Sequence, residues 1–244
     1  MKRIHMPRID GRYWAAITLA SIFGTNLGDF YAHESGLGIW SGLFVLAVLA
    51  ALTFFAERRD RTAHEVYYWL VIIIIRTGAT NIADYLAFDV KIPAIPLSIA
   101  LAGLIATLAW RMTVSDTRAE LIVNRELPST GGQYWTAMLA AGVFGTVLGD
   151  VCSHYVGEGM ASVGLGLLLS LVLLGRWHGV VAAIGGYWLT VAIARTTGTA
   201  MGDWLAENKI LNIGLPLSTM ITGFIFVAIL LTLRSKAVAT ATAD

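Results

Sequence analysis

The sequence predicts an all-α polytopic membrane protein of eight transmembrane helices, built as four parallel hairpin repeats with both termini in the cytoplasm. Three observations lead there: an apolar composition, eight apolar stretches of spanning length, and a fourfold internal repetition. Of 244 residues, 57% are hydrophobic and only 14% are charged. A soluble domain averages roughly 45–50% apolar with glycine included and about 25% charged, so lipid is the expected main solvent. Eight crossings of about 20 residues would use roughly 160 residues and leave the rest for short connections, with no room for a soluble catalytic domain. The formal net charge of +1 gives no pull toward nucleic acid, and a single cysteine, Cys152, excludes an intrachain disulfide framework.

The apolar stretches run from about Tyr13 to His33, Leu37 to Ala56, Val66 to Phe88, Ile92 to Met112, Tyr134 to His154, Met160 to Gly175, Val180 to Ala206 and Leu211 to Leu233. The first follows a basic start but is too long for a signal-peptide core and lacks a small-residue cleavage site, so it is read as a retained helix. Thirteen of the 17 Lys and Arg fall on the side of the termini: Lys2, Arg3, Arg8, Arg12, Arg58, Arg59, Arg61, Arg111, Arg118, Arg125, Arg176, Arg234 and Lys236. The opposite side carries only Lys91 and Lys209. Basic loops resist translocation, which orients the termini to the cytoplasm.

Repetition divides the chain further. Tyr13-Trp14, Tyr68-Trp69, Tyr134-Trp135 and Tyr187-Trp188 open four segments, and each Trp precedes an Asp by 15 residues: Asp29, Asp84, Asp150 and Asp203. Before each Asp the sequence reads small-Thr-x-x-small-Asp, with Thr25, Thr80, Thr146 and Thr199. The order is ABAB. Units one and three carry His33 and His154 four residues after the Asp, then paired glycines; units two and four carry Arg76 and Arg195 eight residues before it, and Pro-Leu-Ser at the second helix (Pro96, Pro216). The halves are therefore duplicates: residues 1–112, a polar cytoplasmic connector over 113–133, and residues 134–244.

These residues resemble a family of bacterial membrane proteins made of four tandem repeats of unknown function, each of two transmembrane helices with a characteristic tryptophan. Trp14, Trp69, Trp135 and Trp188 match that tryptophan, and the resemblance covers nearly the whole chain. It implies a multi-pass protein of the bacterial inner membrane and brings no activity with it.

Helical geometry then places the polar residues. With a rise of about 1.5 Å per residue, each Asp lies roughly 22 Å above its Trp, toward the outer third of the bilayer; the two Arg lie about 12 Å below the Asp layer, and the two His about one turn above it. Arg and Asp on one helix are rotated roughly 80° apart, so Arg–Asp pairing is expected across helices. Six such groups cost roughly 15–20 kcal/mol on the insertion scale before pairing, so they must face the protein interior. The small-x-x-x-small spacing lets neighbouring backbones approach and bring the four Asp around one axis.

Four Asp and two Arg leave a formal charge of −2, which a cation would neutralise. Asp29 with His33, and Asp150 with His154, are i,i+4 pairs able to address one ion, and carboxylate with imidazole suits first-row divalent metals. The leading expectation is a transporter or permease, and not an enzyme, for a divalent metal as substrate or a proton-coupled cationic molecule. Its site would comprise Asp29, Asp84, Asp150, Asp203, Arg76, Arg195 and the four Thr, and it would need no resident cofactor. The lipid bilayer and a small cation are its expected partners. One alternative is a lipid-directed intramembrane enzyme with Asp and His as acid and base or metal ligands, although neither H-E-x-x-H nor G-x-S-x-G occurs. Another is a non-transporting scaffold or sensor in which the polar layer only pairs helices. The Tyr-Trp pairs read as membrane-interface anchors.

Overall fold

A computed structural model describes residues 6–60, 64–120, 130–180 and 183–241. Of the basic residues used for orientation, Lys2, Arg3, Arg61 and Arg125 lie outside the described residues, as does 121–129 of the connector. The described residues form eight α-helices and no strand: α1 (Gly11–Asp29), α2 (Gly38–Arg59), α3 (Glu65–Asp84), α4 (Ala94–Glu120), α5 (Gly132–Val156), α6 (Glu158–Trp177), α7 (Ala183–Glu207) and α8 (Gly214–Ala241). The Asp10 carboxylate caps α1, accepting from the backbone N–H of Arg12 and Tyr13 at 2.9 and 3.1 Å. α4 runs about two turns past the expected end of its apolar stretch, so the connector is helical at its start.

Two helices end in π-helical turns, Phe30–Glu34 after α1 and Tyr85–Asp89 after α3. α5 and α7 have none. The ABAB order of the sequence is thus overlaid by a difference between halves. Gly36 and Gly38 after His33, and Gly157 after His154, take positive φ, a conformation that favours glycine at those three positions.

The hairpins close into a ring. α1 packs on α3, α3 on α5, α5 on α7, and α7 back on α1. The second helix of each unit lies against the first helix of the next: α2 on α3, α4 on α5, α6 on α7 and α8 on α1. Burial separates the layers, with 56% of the spanning windows of α3 and α5 buried against 11–22% for α2, α4, α6 and α8. The outer helices expose Phe44, Leu52, Ile99, Leu171 and Phe224, as a lipid-facing surface should.

Small residues make the inner ring tight. A β-carbon at Gly24 would meet Arg76, one at Gly142 would meet Ala79, and one at Gly145 would meet Arg195. At Gly198 it would meet Ser21, joining the fourth unit to the first. The positions five residues before each Asp therefore serve helix approach, as their spacing predicts. Six of the eight helices are long and apolar enough to cross a membrane, all except α1 and α7. α1 carries Thr, Ser, Gly and Asn and α7 is rich in Thr and Gly, and the two occupy ring places equivalent to α3 and α5.

Candidate functional site on the ring axis

The four inner helices run parallel, because their N-terminal tyrosines meet at one end and their threonines meet near the other. At the N-terminal end the hydroxyls of Tyr13, Tyr68, Tyr134 and Tyr187 form a closed hydrogen-bonded cycle, with O···O distances of 2.7, 2.6, 2.8 and 2.6 Å around it. Each hydroxyl can donate once and accept once, so the cycle satisfies itself without water. Each Tyr ring is edge-on to its own Trp at 5.1–5.2 Å. It also sits 5.6–5.8 Å from a neighbouring unit's Trp, in the pairs Tyr13–Trp69, Tyr68–Trp135, Tyr134–Trp188 and Tyr187–Trp14. The tyrosines and three of the tryptophans are buried, and Trp135 is half-buried. This corrects the expectation of interface anchors: the pairs form an aromatic collar that seals the axis. Each Tyr precedes its Asp by 16 residues, about 4.4 helical turns.

One turn further, Ile17, Ile72, Met138 and Val191 are fully enclosed. The next turn holds Ser21, Arg76, Gly142 and Arg195, and here the two arginines diverge. Arg195 reaches back toward the collar, donating to Ser21 Oγ at 3.2 Å and approaching Met138 Sδ at 3.9 Å. Arg76 reaches forward. Its Nη1 donates to Thr80 at 2.9 Å and Thr146 at 2.8 Å, and its Nη2 donates to Thr25 and, at 2.6 Å, to Thr199. All four terminal N–H groups are thus taken by one threonine from each unit, while Nε has no partner. Thr25 in turn donates to Ser21 O at 2.9 Å.

The ring of threonines is a set of inward acceptors occupied by a tethered guanidinium. Among the described residues no carboxylate lies within ion-pair distance of Arg76 or Arg195, which corrects the expected Arg–Asp pairing. The physical reason is reach: the Asp layer lies about two helical turns beyond the Arg, and the threonines intercept the side chain after one.

Beyond the threonines come Asp29, Asp84, Asp150 and Asp203, one from each unit and within Coulombic reach of one another and of Arg76. Their surroundings differ. Asp84 is 8% exposed, Asp29 and Asp203 are half-buried, and Asp150 is exposed. His33 does not join Asp29 as its spacing suggests; its Nε2 lies 3.7 Å from Asp84 Oδ2. The π-helical turn begins directly after Asp29 and rotates His33 off the Asp29 face toward the next unit. Asp150 and His154, on the regular α5, do share one cavity wall. Among the described residues no three His, Cys, Asp or Glu side chains converge as a metal centre requires.

Two polar positions escaped sequence reasoning. Asn26 donates to Ser218 Oγ of α8 at 3.1 Å, while Asn81, the same position in the second unit, is fully buried with neither amide atom paired. Their place three residues before the Asp was a usable signal, masked by Val147 and Ala200 at the other two copies.

The family model described as Repeat of Unknown Function (DUF347) matches residues 12–62 and 186–237. Two of the four units match this repeat. Each match starts at the Tyr-Trp pair and takes in both helices of its hairpin, α1 with α2 and α7 with α8. The matched segments carry the Tyr-Trp and small-Thr-x-x-small-Asp landmarks that the second and third units also carry. No curated protein and no solved structure matches the chain.

Proposed function

We propose that this protein is an eight-span transporter of the bacterial inner membrane, with both termini cytoplasmic, that receives a cationic substrate in the vestibule formed by Asp29, Asp84, Asp150 and Asp203. The observation that carries the reading is the asymmetry of the axis. One end is sealed by a tyrosine cycle and an apolar layer; the other presents a carboxylate from each unit. A ring of negative groups concentrates cations at that mouth. The excess of Lys and Arg on the side of the termini supports placing the collar at the cytoplasmic face and the Asp layer outside. α1 and α7 are shielded from lipid by their neighbours, which supports counting them as spans although their own hydropathy is lower.

Arg76 gives the cycle of transport its moving part. Its guanidinium holds the threonine ring, so a cation advancing from the Asp layer must displace it or share its place. Units one to four repeat about an axis along the membrane normal, the arrangement found where parallel repeats enclose a midplane site. A non-transporting scaffold is favoured by one observation, that the Arg76–threonine hub is already hydrogen-bonded.

Purified protein in proteoliposomes, assayed for uptake of mono- and divalent metal ions and organic cations, tests the proposal. Asp29→Asn, Asp84→Asn, Asp150→Asn and Asp203→Asn, taken one at a time, are expected to fold and to lose uptake. Unchanged uptake in all four, or no uptake by wild type above empty vesicles, contradicts it.

A further inference from the structure

The four Asp share a position in sequence but not a neighbour. In the ring, the residue four places after the Asp of one unit comes beside the Asp of the next: His33 lies 3.7 Å from Asp84. At the following step that residue is Phe88, and it lines one cavity together with Asp150. Asp84 thus meets an imidazole and is nearly enclosed, whereas Asp150 meets an apolar ring and stays open.

The cavity measures about 450 Å³ and lies between α5 and the segment joining the second π-helical turn to α4. Phe88, Ile92 and Ile95 form one wall, and Val151 and Tyr155 the other, with Asp150 between them. His154 adds one imidazole beside the carboxylate. Phe88, Ile95 and Tyr155 are largely exposed, so the cavity opens sideways at the level of the Asp layer. Its volume falls in the range of small-molecule sites, roughly 300–1,000 Å³, and its single acid among apolar walls is the usual pattern of such sites.

We propose that this lateral cavity binds an organic cation with a hydrophobic body, the positive centre against Asp150 and the body against Phe88 and the aliphatic wall. This rests on the reading that the Asp layer handles cations, and names the class of cation. A bare divalent metal would need several oxygen or nitrogen ligands, and no third ligand converges here. An organic cation needs one counter-charge, and aromatic faces supply attraction that a strongly hydrated ion cannot use.

Equilibrium binding of radiolabelled tetraphenylphosphonium to the detergent-solubilised full chain tests this. Wild type is expected to show one saturable site. Asp150→Asn should weaken it by about tenfold or more, and Ile95→Trp, which fills the cavity without touching a carboxylate, should abolish it. Glu65→Gln, an exposed acid in the first turn of α3 at the tyrosine end of the ring, should leave it within about threefold, and tetraphenylborate, of the same shape and opposite charge, should not compete. Binding indifferent to both Asp150→Asn and Ile95→Trp, or no saturable binding by wild type, overturns the inference. Flux lost in the Asp variants with such indifferent binding sinks the cavity alone. Flux unchanged in all of them, with binding still dependent on Asp150, sinks transport alone.

Discussion

Gly145→Ala tests the closeness of the ring. A β-carbon at Gly145 would stand 2.5 Å from Arg195 Cβ, 2.7 Å from its carbonyl carbon and 2.9 Å from Thr196 N. Carbon atoms pack at about 3.5–4.0 Å, so α5 and α7 must separate by about 1 Å. Two of the three atoms are backbone and cannot rotate away, which puts the overpacking cost near the upper end of the usual range, about 3 kcal/mol. Alanine returns about 1 kcal/mol of helix propensity, leaving a net loss of about 2 kcal/mol. Gly164 on α6 has no atom within 4 Å of the same added carbon, so Gly164→Ala should keep the propensity gain of about 1 kcal/mol. Two identical substitutions should therefore differ by about 3 kcal/mol. Denaturant unfolding in micelles, followed by tryptophan fluorescence, measures both. Equal effects, or a more stable Gly145→Ala, would refute close packing between the third and fourth units.

Two other substitutions probe the axis. Tyr68→Phe breaks the cycle at two bonds and leaves buried hydroxyls on Tyr13 and Tyr134 one partner short, for a loss of about 1–3 kcal/mol. Replacing all four by Phe removes donors and acceptors together, so the quadruple variant should lose less than four times the single loss; a fully additive loss in the same unfolding assay would contradict a cooperative cycle. Arg76→Gln removes bonds to four helices, whereas Arg195→Gln removes one to a hydroxyl and one to a thioether. The first should lower the midpoint of thermal unfolding further than the second, and the reverse order would contradict the hub.

The helices and the repeat were legible because they depend on apolar length and on spacing, which the chain displays directly. The tight approaches were legible as well: Gly24, Gly145 and Gly198 recur five residues before an Asp, and that recurrence has a steric meaning. What eluded the sequence depends on which helix faces which. Arg76 and Arg195 look equivalent in the chain, yet one turns to the threonines and the other to Ser21 and the collar. Tyr13 and its copies look like interface residues until four of them meet on an axis. His33 parts from Asp29 because a π-helical turn intervenes, and nothing in residues 30–34 announces that turn in the way a proline announces a break.

Thiol accessibility in intact membranes tests the central claim most directly. In a Cys152→Ser background, single cysteines replace Asp29, Asp203 and Tyr134 in turn, and membrane-impermeant reagents are applied from each side. The account predicts that cysteines at 29 and 203 react only from the side opposite the termini and are protected by a transported cation, while a cysteine at 134 reacts from neither. Silent cysteines at 29 and 203, or labelling of them only from the side of the termini, would contradict an outward vestibule above a sealed collar.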